Sequence, residues 1–216
     1  VMGAGGVIVP PKGYYEKIQA VCKKYDMLFV ADEVICGFGR TGNVWGSQTM
    51  GIKPDILTCA KALSASFLPI SAVMINDKVY PALMMESDKI GTWGHGFTYS
   101  GHPVAAAVAL EAQKIYDETD LFGHAKRLTP VFHKHIQSFA DHPLIGEAMS
   151  VGLVGALELV ADKKTRASFD IGAPGAAGTR VANHAQARGL FVRNMGDRVA
   201  ICPPLIINEA ELADLF

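Results

Sequence analysis

The feature that most constrains the fold is a short apolar run that recurs along the first third of the chain. An amphipathic helix predicted over residues 11–25 leads into the uninterrupted apolar segment MLFVA, residues 27–31. Such a run after a helix is typical of a strand that is buried on both faces of a parallel sheet. DILTCA (55–60) and PISAVMI (69–75) repeat the pattern. The eight residues between them, 61–68, are too few for a helical crossover, so we predict that these two strands are antiparallel or not adjacent.

The remaining chain predicts helices first and then a different order of elements. Residues 102–118 and 120–140 predict two helices, and the first is rich in Ala and expected to be buried. A long strand is predicted over 151–160, and a further helix and two short strands follow it. We therefore predict an α/β fold, with residues 1–144 in a larger domain and residues 145–216 in a smaller α+β domain. The sequence starts without Met and stops within a helical pattern, so we expect it to belong to a longer protein.

Composition excludes several classes of partner. The net charge is −1 and the pI is about 6.7, so we predict no binding to nucleic acid or to an anionic membrane. No apolar run reaches about 18 residues, the length that a membrane-spanning helix needs. The cysteines are scattered and form no C-x-x-C pair, so we predict free thiols in the cytoplasm and no metal site.

The segment ADEVICGFGRTG, residues 31–42, carries the G-x-G-x-x-G spacing of a dinucleotide-binding loop. In such a loop the first Gly ends a strand and a long helix follows the last. Gly37 instead arrives six residues after the predicted strand end at Ala31, and Gly46, Gly51 and Pro54 permit only a short helix afterwards. We therefore interpret the glycines as a turn, and a nicotinamide-dependent oxidoreductase is the less favoured alternative.

Charged side chains follow two of the predicted strands. Asp32 ends the first and Lys61 follows the second, so they meet at one sheet edge if these strands are parallel neighbours. A structural ion pair is one interpretation. The other is that the uncharged residues after Lys61 desolvate its amine, as an imine-forming lysine requires. Thr98 lies in a Gly-rich loop before a helix, which suits a phosphate group. An aspartate, a lysine amine and a phosphate loop are what pyridoxal phosphate requires. We expect the neighbouring Glu33 to be a structural hydrogen-bond or ion-pair partner, with Arg40 as a candidate partner, rather than an acid catalyst.

Four segments resemble the class III pyridoxal-phosphate aminotransferases, the omega-amino acid:pyruvate or amine:pyruvate enzymes of fold type I. The similarity runs over the whole chain, in family order, through these segments: VADEVICGFGRTG, PDILTCAKALSASFLPISAV, GFTYSGHPVAAAVALE and RGLFVRNMGDRVAICPPLII. The resemblance implies a central, mostly parallel sheet flanked by helices, with pyridoxal 5'-phosphate as the cofactor. It also implies a homodimer with a shared active site. The family often has Gly after the lysine, where this chain has Ala62.

The resemblance also implies a role for each matching position. Asp32 would pair with the pyridinium nitrogen, and Val34 would pack on one face of the ring. Lys61 would form the imine with the cofactor and later move a proton. Thr98 would bind the cofactor phosphate of the neighbouring subunit, and Arg193 would pair with the substrate carboxylate.

The implied activity is transamination, from an amine or omega-amino acid donor to a keto acid such as pyruvate. A pyridoxal-phosphate aminomutase or decarboxylase is the alternative within the same chemistry. We expect Trp93 to be a packing residue that lies close enough to the phosphate loop to touch a ligand, and it is a candidate substrate-binding residue. The family's N-terminal half, with its own phosphate loop and stacking aromatic ring, has no counterpart in these residues. We therefore expect the fragment alone to be incomplete for activity.

Overall fold

The structure, a computed structural model, describes residues 1–170 and 172–216 and divides the chain into two compact units. One unit, called the first unit below, consists of Pro11–Phe38 and Val44–Asp120. The second unit consists of Val1–Pro10, Gly39–Asn43 and Leu121–Phe216. The predicted division into domains at residue 144 stays a prediction.

The first unit alternates helices with short strands. It begins with α1, whose residues Tyr14–Lys24 confirm the first predicted helix. The elements that follow are β1 (Val30–Asp32), α2 (Gly46–Met50), β2 (Ile56–Cys59), a 3-10 helix (Lys61–Leu63), β3 (Ala72–Ile75), α3 (Tyr80–Ile90) and α4 (Pro103–Glu118).

The strands of the first unit form one sheet in the order β1-β2-β3. β1 and β2 are parallel, and Asp32 is in register with Thr58. β2 and β3 are antiparallel, which confirms the prediction made from the short connection between them. Because β1 and β2 run the same way, their carboxyl ends lie at one edge of the sheet.

The burial predicted for three apolar segments of this unit is wrong. In β3, Val73 is 57% exposed and Met74 is 41% exposed. In the run MLFVA that contains most of β1, only Ala31 is buried, while Leu28 and Val30 are about half exposed. In α4, three alanines on one face are buried (Ala105, Ala109 and Ala112), but Leu110 is 72% exposed. The physical reason is that a helix with apolar residues on every side can be fully buried only if other elements pack on all of its faces. Packing within this unit buries only the alanine face.

The second unit is a four-stranded sheet with helices. Its strand order is β4-β5-β7-β6, and every neighbouring pair is antiparallel. Its elements in chain order are α5 (Leu121–Gln137), β4 (Ile145–Val151), β5 (Val154–Leu159), α6 (Ala176–Gln186), β6 (Arg193–Met195), β7 (Arg198–Ile201) and α7 (Glu209–Asp214).

The long strand predicted over residues 151–160 is wrong, because the chain turns back between β4 and β5. Gly152 lies in the turn with φ of 57°, a left-handed conformation that favours glycine. A Cβ at this position would also overlap the backbone of Arg40 and Thr41. The apolar residues on both sides of Gly152 belong to two paired strands, which a continuous apolar pattern does not reveal.

The core of the second unit lies between α5 and the sheet. The helix buries residues at helical spacing along one face, and Phe132 and Ile136 are fully buried there. Leu153 and Leu212 are also fully buried in the same cluster. None of the helices that the structure describes is long and apolar enough to cross a membrane.

Candidate active site

The candidate site lies at the carboxyl edge of the parallel pair β1 and β2. Asp32 is the last residue of β1, and Lys61 opens the 3-10 helix that follows β2. The Glu33 N–H donates to the carbonyl of Thr58 at 2.8 Å, which extends the pairing of the two strands beyond Asp32. Parallel pairing therefore brings the carboxylate and the amine to the same sheet edge, as the sequence predicted.

The two charges at this edge do not neutralise each other. Oδ1 of Asp32 accepts a hydrogen bond from the N–H of Val34 at 3.0 Å, and the side chain is otherwise exposed. Within residues 1–170 and 172–216, neither Asp32 nor Lys61 takes part in an ion pair. The interpretation of these residues as a structural ion pair is therefore not supported.

Glu33 has a different environment from its neighbour. It is only 2% exposed, and its carboxylate accepts hydrogen bonds from the N–H groups of Gly46 at 2.8 Å and Ser47 at 2.5 Å. These amides belong to the first turn of α2, where a negative charge is favourable. Glu33 therefore links the sheet edge to α2, which confirms its predicted structural hydrogen-bond role. Arg40, the suggested partner, instead donates to the carbonyls of Leu153 and Pro203.

The glycine-rich segment after Glu33 does not form a dinucleotide site. Only the five-residue helix α2 follows it, and the amides that open α2 are already bound by Glu33. Gly39 has φ of 88°, and a Cβ there would meet the ring of Phe122. The glycines therefore serve turns and close packing, which agrees with the interpretation made from the sequence.

The desolvation of Lys61 expected from the uncharged segment after it is not observed. Lys61, Ala65 and Ser66 are exposed, and Phe67 is 79% exposed. The segment forms a turn in which Leu63 and Leu68 are only partly buried and Phe67 is exposed, so composition alone does not determine the surroundings of the amine. Ser64 is the exception, since it is buried and its hydroxyl donates to the carbonyl of Leu68 at 2.7 Å.

The turn that carries Lys61 is held by side chains of α4. The hydroxyl of Tyr116 donates to the carbonyl of Ala62 at 2.8 Å, and the amide of Gln113 donates to the carbonyl of Leu63 at 2.9 Å. Sequence reasoning missed both residues. Their only local signal is two uncharged polar groups at i and i+3, hence on one face of the helix.

Thr98 and Trp93 lie apart from these contacts, in the exposed segment between α3 and α4. The Ser100 hydroxyl there accepts a hydrogen bond from the N–H of Phe97 at 2.7 Å, and the rings of Trp93 and His95 are 6.0 Å apart. No hydrogen bond joins Thr98 to the sheet edge within the described part of the chain.

Val34 and Arg193 complete the set of candidates. Val34 is partly buried and follows Asp32 in the loop after β1. Arg193 is exposed on β6 of the second unit, where it pairs with Ala200 of β7. No group of three or more metal-ligating side chains is present among residues 1–170 and 172–216.

The comparisons with known proteins agree on one protein family for this chain. A family model described as aminotransferase class-III matches residues 1–216. Gamma-aminobutyrate transaminase 1, mitochondrial, of Oryza sativa subsp. indica is 46% identical over 215 residues, which are 100% of this chain and 41% of that protein.

Solved structures agree with this family. A transaminase with L-ala has a TM-score of 0.96 and 54% identity, and the match covers 100% of this chain and 50% of that one. The omega transaminase from Pseudomonas jessenii in complex with PMP has a TM-score of 0.95 and 53% identity, over 99% of this chain and 47% of that one. The predicted fold class is confirmed, and the chain spans about half the length of these relatives or less.

Proposed function

The chain belongs to the class III aminotransferases, and from this premise we propose that it carries the lysine-bearing part of a transaminase active site. The observation that carries the proposal is the meeting of Asp32 and Lys61 at one edge of the parallel pair β1 and β2, without an ion pair between them. The proposed reaction moves an amino group from an amine or omega-amino acid to a keto acid such as pyruvate.

The groups at this sheet edge fit the family's cofactor, pyridoxal 5'-phosphate. The cofactor needs a primary amine for its aldehyde and a carboxylate for its ring nitrogen. Lys61 offers an exposed amine outside any ion pair of the described chain, and Asp32 has one carboxylate oxygen bound by Val34 and the other left for a ring N–H.

When bound, pyridoxal phosphate supplies an electron-withdrawing ring that stabilises negative charge on the substrate carbon. Asp32 would keep the ring nitrogen protonated, because its carboxylate would accept the N–H and offset the positive charge. Lys61 would hold the cofactor through its amine until the amino group of the substrate displaces it, and the freed Nζ would then carry a proton to and from the substrate carbon. Glu33 positions Asp32 by fixing the strand end against α2.

Other contacts of the proposed site rest on the family resemblance. We propose that Val34 packs on the ring and that Thr98 binds the cofactor phosphate of a second copy of the chain, in a homodimer. Arg193 would bind the substrate carboxylate, and Trp93 would touch the substrate. Their exposure is compatible with these roles, since each side chain has surface left for a ligand or partner.

Three broader parts of the proposal concern the whole protein. We propose a larger cofactor-binding domain that includes residues 1–144 and a smaller domain that includes residues 145–216. We also propose a cytoplasmic location, although the plant relative from Oryza sativa has "mitochondrial" in its name. An aminomutase or decarboxylase is the alternative activity, because Asp32 and Lys61 serve either outcome.

Product analysis of the full-length protein tests the proposal. The protein is incubated with an amine donor and pyruvate, and alanine is measured by chromatography. Lys61→Ala should abolish alanine formation, and Asp32→Asn should lower kcat by about 100- to 1,000-fold, the scale of a lost electrostatic contact at a reacting group. Lys53→Ala, a change at an exposed lysine, is the matched control. Loss of the amine substrate without alanine formation would favour the aminomutase or decarboxylase.

A further inference from the structure

The turn that carries Lys61 has an unfavourable backbone. Lys61, Ala65 and Ser66 have φ angles of 49°, 50° and 63°, all in the left-handed region. Residues with a Cβ seldom adopt this region, and they keep it only where surrounding contacts impose it. Three such residues within six positions mean that contacts from outside the turn are needed to hold its shape.

The turn's own hydrogen bonds account for only part of this restraint. The carbonyl of Lys61 accepts from the N–H groups of Ser64 at 3.3 Å and Ser66 at 3.1 Å. Within the turn, the carbonyl of Ala62 accepts from the N–H groups of Ser64 and, at 3.3 Å, Ala65. No backbone N–H of the described chain bonds to the carbonyl of Leu63.

Two side chains of α4 supply the restraint that the turn lacks. Tyr116 donates to Ala62 at 2.8 Å and Gln113 donates to Leu63 at 2.9 Å, so the two residues directly after Lys61 are both held. Both donors are partly buried and lie three positions apart on one helix face. A rigid helix, rather than a mobile loop, therefore sets the path of the backbone that leaves Lys61.

The phenol of Tyr116 is suited to act as a permanent donor. Burial raises its pKa, and a hydrogen bond from the backbone of Ala65 opposes part of that rise. The hydroxyl thus keeps its proton at neutral and mildly alkaline pH. Tyr116 can therefore hold the carbonyl of Ala62 over this pH range.

We propose that Tyr116 and Gln113 are positioning residues that fix the direction of the Lys61 side chain by holding the carbonyls of Ala62 and Leu63. The inference rests on the proposed function, because it assigns Lys61 the reacting amine. An amine that both binds a cofactor and carries a proton must be placed closely, and a shift of about 1 Å can slow such steps about 100-fold.

The test uses Tyr116→Phe, Gln113→Met and the double variant of the full-length protein. The rate at which pyridoxal phosphate attaches to Lys61 of the apoprotein is followed across pH 6–10 by borohydride trapping and peptide mass spectrometry. Each single variant should slow attachment about 3- to 10-fold, the effect of one net hydrogen bond, and the double variant about 30-fold. The pH at half-maximal rate should also shift, and kcat should fall while KM for pyruvate is unchanged.

Exposed residues of the same types give matched controls. Tyr25→Phe and Gln186→Met should leave both rates within twofold of the unchanged protein, since both side chains are exposed. If Tyr116→Phe fails to fold, the attachment rate of Gln113→Met alone is used as the test. Attachment at Lys61 at the normal rate and pH in folded Tyr116→Phe and Gln113→Met would overturn the inference and leave the proposed function intact. No attachment to Lys61 in the unchanged protein would overturn both.

Discussion

Glu33 provides the sharpest test of how the sheet edge is held together. Its buried carboxylate accepts hydrogen bonds from the N–H groups of Gly46 and Ser47, while its own N–H donates to Thr58. The substitution Glu33→Gln keeps the shape of the side chain. It removes the charge and replaces one acceptor oxygen by an NH₂ donor. One of the two helix amides then faces another donor in a site where Glu33 is only 2% exposed.

The expected loss in the free energy of unfolding follows from the two hydrogen bonds that Glu33 accepts. A hydrogen bond to a charged group contributes about 1.5–3 kcal/mol, and a buried donor left without a partner costs about 1–3 kcal/mol. The glutamine oxygen retains one bond of ordinary strength, and some relaxation of α2 offsets part of the loss. We therefore expect Glu33→Gln to lower the free energy of unfolding by about 2–4 kcal/mol.

Urea denaturation followed by circular dichroism measures this change, and Glu211 offers a matched control. Glu211 accepts from the N–H of Asn208 at 3.0 Å in an exposed capping box at the start of α7. Glutamine serves in such a box as well as glutamate, so Glu211→Gln should cost less than about 0.5 kcal/mol. Equal losses for the two variants would refute the reasoning that burial and the charge at Glu33 hold the strand end.

Three further predictions test other parts of the structure. Gly152→Ala should destabilise the protein by about 2–5 kcal/mol, because the new Cβ overlaps the facing backbone and the residue also has a left-handed φ. Gly51 has a left-handed φ but lies in open space, so Gly51→Ala should cost about 1 kcal/mol in the same urea assay. Burial raises the pKa of the Cys59 thiol in the folded protein above its ordinary value of 9.0. The protonated thiol therefore contributes stability that is fully present below pH 9.0 and is lost as pH rises through the folded pKa. Unfolding curves from pH 8 to 11 should therefore lose less stability in Cys59→Ala than in the exposed-site control Cys202→Ala, and identical pH slopes would contradict this. Arg193→Ala should slow the keto-acid half-reaction at least about 10-fold more than the amine half-reaction, the scale of a lost charge-assisted hydrogen bond; equal loss in stopped-flow measurements of both halves would exclude the proposed role.

Local patterns in the sequence were sufficient to predict the sheet edge of the first unit. A helix followed by an apolar run predicted β1, and the short connection after residue 60 predicted that β2 and β3 are not a parallel pair. Once β1 and β2 are parallel neighbours, geometry alone brings Asp32 and Lys61 to one edge. The sequence predicted the placement of these two residues only on the condition that β1 and β2 pair in parallel, and the structure supplies that long-range pairing.

Properties that depend on what covers a segment were not predictable in this way. The exposure of Leu110 and of Lys61 depends on tertiary packing, which an apolar composition does not specify. The turn at Gly152 was hidden because paired strands with apolar residues look like one strand in sequence. α3 carries no strong apolar periodicity and was not predicted.

The anchoring of the lysine turn was beyond sequence reasoning for a further reason. Tyr116 and Gln113 are about fifty positions from the carbonyls that they bind. No local propensity links residues so far apart, and a polar residue on an Ala-rich helix has many possible partners. Only the packing of α4 against the turn identifies which carbonyls these side chains hold.

The most direct test of the account is to locate the cofactor on the full-length protein. The protein is loaded with pyridoxal phosphate, reduced with borohydride, digested and analysed by mass spectrometry, with Asp32→Asn treated in parallel. The account predicts a reduced pyridoxyl group on the peptide that contains Lys61 and on no other lysine, with lower occupancy in the Asp32 variant. A protein that converts pyruvate to alanine but carries the label on a different lysine would contradict it.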